Sequence, residues 1–287
     1  MENHHVTSRD WPAPAKLNLF LHVVGRRPDG YHLLQTVFQF IDYCDLIDFS
    51  VRADGKLVRQ ANYTDIPADA DLVMRAAAVL KTEAGCRLGA AIAVNKRLPV
   101  GGGLGGGSSD AATTLVALNR LWELNLSRED LAGIGLRVGA DVPVFVRGHA
   151  AWAEGVGEKL TPVTPEECWY LVIHPGIHVP TAEIFGAADL TRTTPATTIR
   201  DFLEAGGHND CEPVVRRRYP AVAEALDWLG GFGKTQMTGT GSCIFAAFGS
   251  REQAHQIYTG MPDKWRGFIA RGLNRSPLLE RLAQEKN

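Results

Sequence analysis

The densest chemistry in the chain lies at residues 99–110, where Pro99 and Val100 lead into Gly101, Gly102, Gly103, Leu104, Gly105, Gly106, Gly107, Ser108, Ser109 and Asp110. Glycine fills six of the seven positions 101–107, and each one surrenders roughly 0.5–1 kcal/mol of conformational freedom on folding. Such a run has a use where a ligand must approach the main chain with no Cβ in the way. A helical pattern follows, whose free N–H groups and positive dipole end would offer an anion site. Ser108 and Ser109 add hydroxyls that could reach a phosphate or Mg2+. The competing reading, a flexible linker, fits poorly between a strand pattern and a helix pattern.

Two other nucleotide signatures fail on context. Gly101, Gly103 and Gly106 satisfy the dinucleotide pattern G-x-G-x-x-G, but Pro99 sits just before it. The acid about 20 residues on, Glu123, falls in a helical pattern rather than at the end of a second strand. Gly233-Lys234-Thr235 ends like a P-loop, yet Trp228 stands where the leading glycine is needed.

The elements around these residues follow from periodicity. Residues 15–24 alternate, with Leu17, Leu19, Leu21 and Val23 on one face and Lys16, Asn18, Phe20 and His22 on the other. A strand there presents Lys16 and Asn18 together. Residues 26–30 are turn chemistry, 31–52 are β-rich, and Asp54-Gly55 suits a hairpin turn. Asp69 or Asp71 can cap a helix that Gly85 stops. Residues 90–96 read as a strand, and 111–124 as a helix with Ala111, Leu115, Leu118 and Trp122 in one stripe. Ser127 and Asp130 resemble a capping box for a short helix ending near Gly139, and 142–146 read as a strand. A proline- and acid-rich passage, 155–167, divides the chain into expected domains 1–160 and 161–287. In the second, 169–174 and 242–248 read as strands and 221–229, 251–259 and 277–284 as helices. The interleaving lacks a strict βαβ rhythm, so the class is α+β.

Composition narrows the rest. At 287 residues, 45% hydrophobic and 22% charged, the chain reads as globular and long enough for two domains. A net charge of −2 points to neither nucleic acid nor an anionic membrane as partner. Residues 1–10 lack the apolar core of a secretory signal, and no apolar run is long enough to span a bilayer. Cys44, Cys86, Cys168, Cys211 and Cys243 are odd in number and far apart, which argues against a disulfide framework or a zinc site and for the cytoplasm. The sequons at Asn62 and Asn125 read as chance matches.

The 99–110 segment resembles the phosphate loop of the GHMP kinases, the superfamily of galactose, homoserine, mevalonate and phosphomevalonate kinases. Pro14-Ala15-Lys16-Leu17-Asn18-Leu19 resembles the family's first motif and Thr238-Gly239-Thr240-Gly241-Ser242-Cys243 its third. Segments 30–36, 95–99, 139–145 and 180–185 most resemble the branch that acts on a cytidine diphosphate substrate of the non-mevalonate isoprenoid pathway. The likeness covers residues 13–279. It implies a two-domain GHMP kinase fold, with an N-terminal ATP-binding domain like ribosomal protein S5 domain 2 and a ferredoxin-like C-terminal domain. It also implies phosphoryl transfer from ATP, accompanied by Mg2+, to a tertiary hydroxyl of a small molecule lying between them.

Carried over residue by residue, the resemblance makes Asp141 the catalytic base, where the residue alone reads as a helix or turn cap. Lys16, otherwise a solvated strand lysine, becomes the cation that keeps Asp141 ionised and steadies charge at the reacting oxygens. Tyr31 and Phe185 would stack on the cytosine and His32 would hydrogen-bond its polar edge, although Phe185 also suits ordinary packing. Asn18 and Thr181 would contact polar substrate groups, and Thr240 and Gly241 would line the cleft. Lys96 would meet nucleotide phosphate or ribose beside the 99–109 loop. No protein ligand for Mg2+ stands out, and Asp110 reads as a helix cap. His174, His178 and His208 lack metal-ligand spacing. The alternatives are a mevalonate- or homoserine-type kinase, or a non-catalytic sensor of the same fold.

Overall fold

The structure is a computed structural model that describes residues 6–60 and 71–285, so Asn62 and Asp69 lie outside the described residues. The first half runs β1 (Thr7–Arg26), β2 (His32–Arg52), β3 (Leu57–Gln60), α1 (Leu72–Glu83), β4 (Gly89–Asn95), α2 (Gly106–Leu121), α3 (Arg128–Val138), α4 (Val142–Arg147), β5 (Ala151–Gly155) and β6 (Lys159–Pro162). The second runs β7 (Trp169–His174), α5 (Thr181–Gly186), α6 (Ile199–Ala205), α7 (Glu212–Arg218), α8 (Pro220–Gly230), β8 (Thr235–Met237), β9 (Ile244–Phe248), α9 (Arg251–Tyr258), β10 (Arg266–Leu273) and α10 (Pro277–Gln284).

Strand β2 is the spine. One edge pairs antiparallel with β1 along nearly its whole length, and the other pairs in succession with β5, two residues of β10, and β4. Because β1 pairs with no described strand but β2, its Pro12 and Pro14 are tolerated. The β1–β2 register slips between Pro14 and Lys16 and again between Asn18 and Leu21. Such irregularities bend a strand and re-aim its side chains. Here the main-chain donors between them find partners outside the sheet: Lys16 N donates to Leu104 O at 3.0 Å and Asn18 N to Thr238 Oγ1 at 3.0 Å. The irregular stretch thereby holds both glycine-rich turns.

Several expected elements form as read. Asp71 caps α1, its carboxylate accepting from Val73 N and Met74 N, and Ser127 with Asp130 completes a capping box on α3. Others need correction. Asp54-Gly55 turns the chain but makes no hairpin, because β3 pairs parallel with the far edge of β4. The β2 edge is taken by β4, whose Ala90, Ala91, Ile92 and Val94 are buried while β3 is not. Residues 142–146 are helical rather than extended: Pro143 sits in the first turn of α4 and Gly148, at φ +70°, stops it. A short run buried on all sides carries no period that separates helix from strand. Helix α2 starts at Gly106, inside the glycine run, so Asp110 lies within it and is no cap. The passage 155–167 holds the turn after β5 and all of β6, which pairs back onto β5.

Helices α1 to α4 and α10 cover the first-half strands around Trp11, Phe40, Phe49, Leu115 and Phe145. The second half packs around Leu171, Val215, Leu226 and Ile244. A smaller cluster joins Leu17, Ile41 and Leu104 to Val172 and Phe245. Leu104, the non-glycine at the centre of the glycine run, is only 1% exposed, and burying it contributes roughly 1.5–3 kcal/mol. It anchors the loop. Among the described residues no helix is long and apolar enough to cross a membrane.

Candidate active site

A cleft of about 800 Å³ is lined by Lys16, Asn18, Asp141, Tyr31, His32, Thr181, Phe185 and Thr240, which the sequence reading had scattered over five segments. Gly103 and Gly105 of the glycine loop line it too.

Lys16 is 3% exposed. Its Nζ donates to Asn18 Oδ1 at 2.5 Å and to Gly103 O at 3.1 Å, and stands 3.6 Å from Asp141 Oδ2. Burial pulls the Lys16 pKa below the ordinary lysine value; the Asp141 charge opposes that without cancelling it. Asp141 occupies the position before α4 yet caps nothing, and its side chain keeps 33% of its exposure. The capping alternative is therefore not realised, and the carboxylate is left to face the cleft. An ionised carboxylate beside a buried ammonium can take a proton from a hydroxyl while the cation steadies charge on the oxygens.

The glycine loop is shaped first by the protein's own packing. Gly103 has φ +76°, and a Cβ there would come within 2.2 Å of Thr238 O. At Gly105, φ +71°, a Cβ would meet Phe145 at 2.8 Å and Lys16 Cε at 3.1 Å. Cys243 N donates to Gly102 O at 3.0 Å, clasping the two glycine-rich turns together. Gly106 and Gly107 open α2, which has no side-chain N-cap, so its first amides are left for an anion. Pro99 and exposed Val100 lead into the loop, Ser108 is half-buried, and Ser109 Oγ is buried with no partner.

Lys96, expected to meet the nucleotide, lies beside the loop at Gly106 and is ion-paired there. Its Nζ binds Asp45 Oδ2 at 2.5 Å and Asp110 Oδ2 at 2.8 Å, beneath the start of α2. Burial works against the Lys96 charge, but Asp110 and Asp45 outweigh it and hold its pKa above the ordinary value. Burial pushes the Asp110 pKa up, Lys96 opposing and Asp45 adding to the rise. Asp45 also accepts from the amides of Arg97 and Leu98, at 2.5 and 2.8 Å. The ammonium is committed to two carboxylates.

On the other flank the His32 ring stacks on Phe185 with centroids 5.1 Å apart and planes 24° apart. Tyr31, which the sequence reading paired with Phe185, is 65% exposed beside this stack. Thr181 and Thr240 share a hydrogen bond of 2.9 Å between their hydroxyls. Gly241, at φ +91°, follows Thr240 but does not itself line the cleft.

Residues 71–149 match the GHMP kinases N terminal domain and residues 188–267 the GHMP kinases C terminal domain. The chain is 56% identical to the 4-diphosphocytidyl-2-C-methyl-D-erythritol kinase of Alkalilimnicola ehrlichii, over 98% of this chain and 96% of that one. It belongs to this family of GHMP kinases. The corresponding kinase of Nitrosococcus oceani is also 56% identical, with 94% of this chain and 96% of that one aligned. A solved 4-(cytidine 5'-diphospho)-2C-methyl-D-erythritol kinase superposes with a TM-score of 0.80 at 32% identity, covering 93% of this chain and 99% of that one. The α+β GHMP kinase fold expected from the motifs is thus the fold observed, and the chain is an ATP-dependent phosphotransferase.

Sequence reasoning missed two residues that support this GHMP kinase's site from behind without lining the cleft. Asp45 lies in the middle of β2, where nothing in the pattern separates it from other strand residues. Arg192 touches both His32 and Phe185, but its neighbours Thr191, Thr193 and Thr194 give no period and no motif.

Proposed function

We propose that this GHMP kinase transfers the γ-phosphoryl group of ATP to the tertiary 2-hydroxyl of 4-diphosphocytidyl-2-C-methyl-D-erythritol, in the cytoplasm, as a step of the non-mevalonate route to isoprenoids. The observation that carries the reading is the convergence of Lys16 and Asp141 in the same cleft as the His32–Phe185 stack. A substrate with an alcohol at one end and a pyrimidine at the other suits those two sets of groups.

Asp141 accepts the hydroxyl proton as the new O–P bond forms, and the bond between the γ-phosphorus and the bridging oxygen breaks to release ADP. Lys16, held by Asn18 and Gly103, pairs with Asp141 and lies beside the charge developing on the oxygens. Residues 99–109 hold the triphosphate through main-chain amides, with Lys96 fixing the base of α2 through Asp45 and Asp110. Tyr31, His32 and Phe185 take the cytosine, and Asn18, Thr181 and Thr240 the polar groups between.

Mg2+ travels with the ATP in this reading. Among the described residues no group of three His, Cys, Asp or Glu side chains is placed to hold a metal. The protein's own offer near the loop is the unpartnered Ser109 hydroxyl, with Asp110 Oδ1 beside it in sequence. When bound, the ion neutralises charge on the phosphates.

A coupled assay for ADP release over a panel of substrates tests the proposal. Turnover is expected with the cytidine diphosphate substrate and neither with mevalonate nor with homoserine, which bring no base to stack. A preference for either small substrate would overturn it.

A further inference from the structure

Arg192 distributes one guanidinium over four acceptors. Its Nε donates to His32 Nε2 at 3.1 Å, one terminal nitrogen to Leu190 O at 3.1 Å, and the other to Phe185 O at 3.2 Å and Ala187 O at 2.5 Å. The three carbonyls belong to the end of α5 and the chain just beyond it, whereas His32 opens β2. A single side chain therefore ties together the two residues of the ring stack, which come from opposite halves of the sequence.

The direction of the His32 bond has a chemical consequence. Arginine has only donors, so His32 Nε2 must present its lone pair, and in the neutral ring the proton then sits on Nδ1. Protonating the ring would destroy that bond and set a second cation against the guanidinium. Burial, then the charges of Arg192 and Arg26, holds His32 below its ordinary pKa, in keeping with a neutral ring. Nδ1–H makes no hydrogen bond to a described residue, and His32 lines the cleft.

We infer that Arg192 is a specificity-determining positioning residue: it fixes His32 as the Nδ1–H tautomer, so that the cleft takes a cytosine, whose ring N3 is an acceptor, and rejects a uracil, whose N3 carries hydrogen. This rests on the proposed cytidine substrate and adds the device that selects its base. Uracil would set donor against donor with no acceptor between them, which costs more than a merely missing contact. With the opposite tautomer, Nδ1 would be an acceptor and the preference would turn toward uracil. The choice of base thus resides in a residue that need not touch it.

Two measurements on the full chain test this. In 15N spectra of histidine-labelled protein, with His32 assigned by the signal lost in His32→Gln, the wild type is expected to show the Nδ1–H pattern and Arg192→Met to populate Nε2–H. In kinetics, the ratio of kcat/KM for the cytidine substrate over its uridine analogue is expected to fall about 10- to 100-fold in Arg192→Met. The effect should lie mainly in the KM for the pyrimidine substrate, with the KM for ATP moved far less, a split that general loosening of the fold would not give. If Arg192→Met does not fold, Arg192→Lys serves, since one ammonium cannot hold His32 and three carbonyls at once. An Nε2–H wild type, or an unchanged base ratio in a folded variant, would overturn the inference. A wild type inactive on both pyrimidine substrates would overturn the proposed function and the base preference with it, while the spectrum alone still decides the tautomer.

Discussion

Lys16 Nζ and Asp141 Oδ2 face each other at 3.6 Å, the lysine from an irregular stretch of β1 and the aspartate from the residue before α4. The pair is asymmetric: Lys16 is sealed in and Asp141 is a third exposed. A carboxylate with a cation behind it and open space before it is well placed to meet an incoming hydroxyl. Asp141→Asn keeps the shape and removes the base, so kcat is expected to fall at least about 100-fold, with a much smaller change in KM. Initial rates at saturating ATP check this; unchanged turnover would remove Asp141 from the chemistry.

The buried lysine should also be visible in pH profiles. Burial lowers the Lys16 pKa below 10.5, against the pull of Asp141. As pH rises, Lys16 therefore loses its proton before an exposed lysine would, and the alkaline limb of kcat/KM is expected to fall below pH 10.5. In that window the unfolded chain binds more protons than the native one, so the cost of burying the charge is relieved as pH rises. Lys16→Met should abolish turnover at little net cost in thermal stability near neutral pH: a buried charge is removed, while Asn18 Oδ1 loses its donor and Thr238 Oγ1, with one hydrogen, still serves Gly103 O at 3.2 Å. Asp141→Asn alone, by contrast, strands the cation and should lower the melting temperature, which adding Lys16→Met restores.

The fold and the site were legible to different depths. Alternation placed Lys16 and Asn18 on one face of a strand, and the structure joins them by a hydrogen bond. It could not show that two slips of register free the main chain of that segment to grip Leu104 and Thr238, because those partners lie far along the sequence. The glycine run was plain, but the start of α2 inside it was not, since Gly106 and Gly107 have poor helix propensity and are helical by tertiary context. Residues 142–146 were misread because burial on every side erases the period. Lys96 looked like a free cation because its two carboxylates, Asp45 and Asp110, are 51 and 14 residues away.

The glycines of the loop should separate by function. Gly103→Ala must hold φ near +76° and push against Thr238 O, so it is expected to lose about 1–2 kcal/mol from the backbone alone and more from the collision. Gly107→Ala meets only Leu72 Cδ1 at 3.4 Å and lies in a helix, so it should keep or gain up to about 1 kcal/mol of stability. It would, however, put a methyl where the triphosphate must come close, and its KM for ATP should rise about 10-fold or more. Urea unfolding and ATP titrations of the two variants distinguish packing glycines from ligand glycines. Equal effects of both on stability, with no change in the KM for ATP at Gly107, would contradict the assignment.

The buried Asp45–Lys96–Asp110 cluster gives the last expectation. Lys96→Met leaves two carboxylates facing each other with no cation between them, and breaking such a pair costs about 3–5 kcal/mol. Asp110 is the partner to protonate first, since burial and Asp45 already hold its pKa up against Lys96. A carboxylate with a raised native pKa binds its proton more tightly folded than unfolded, so it destabilises above its unfolded pKa and the loss eases as pH falls. Lys96→Met should therefore be most destabilised at neutral and alkaline pH and recover toward mildly acid pH. Asp110→Asn in the same background should recover stability at neutral and alkaline pH and flatten the pH dependence. Urea midpoints of the single and double variants across that range measure both effects. A Lys96→Met protein as stable as the wild type at neutral pH would mean that the ammonium is not what holds α2 against β2, and that it is free for the nucleotide after all.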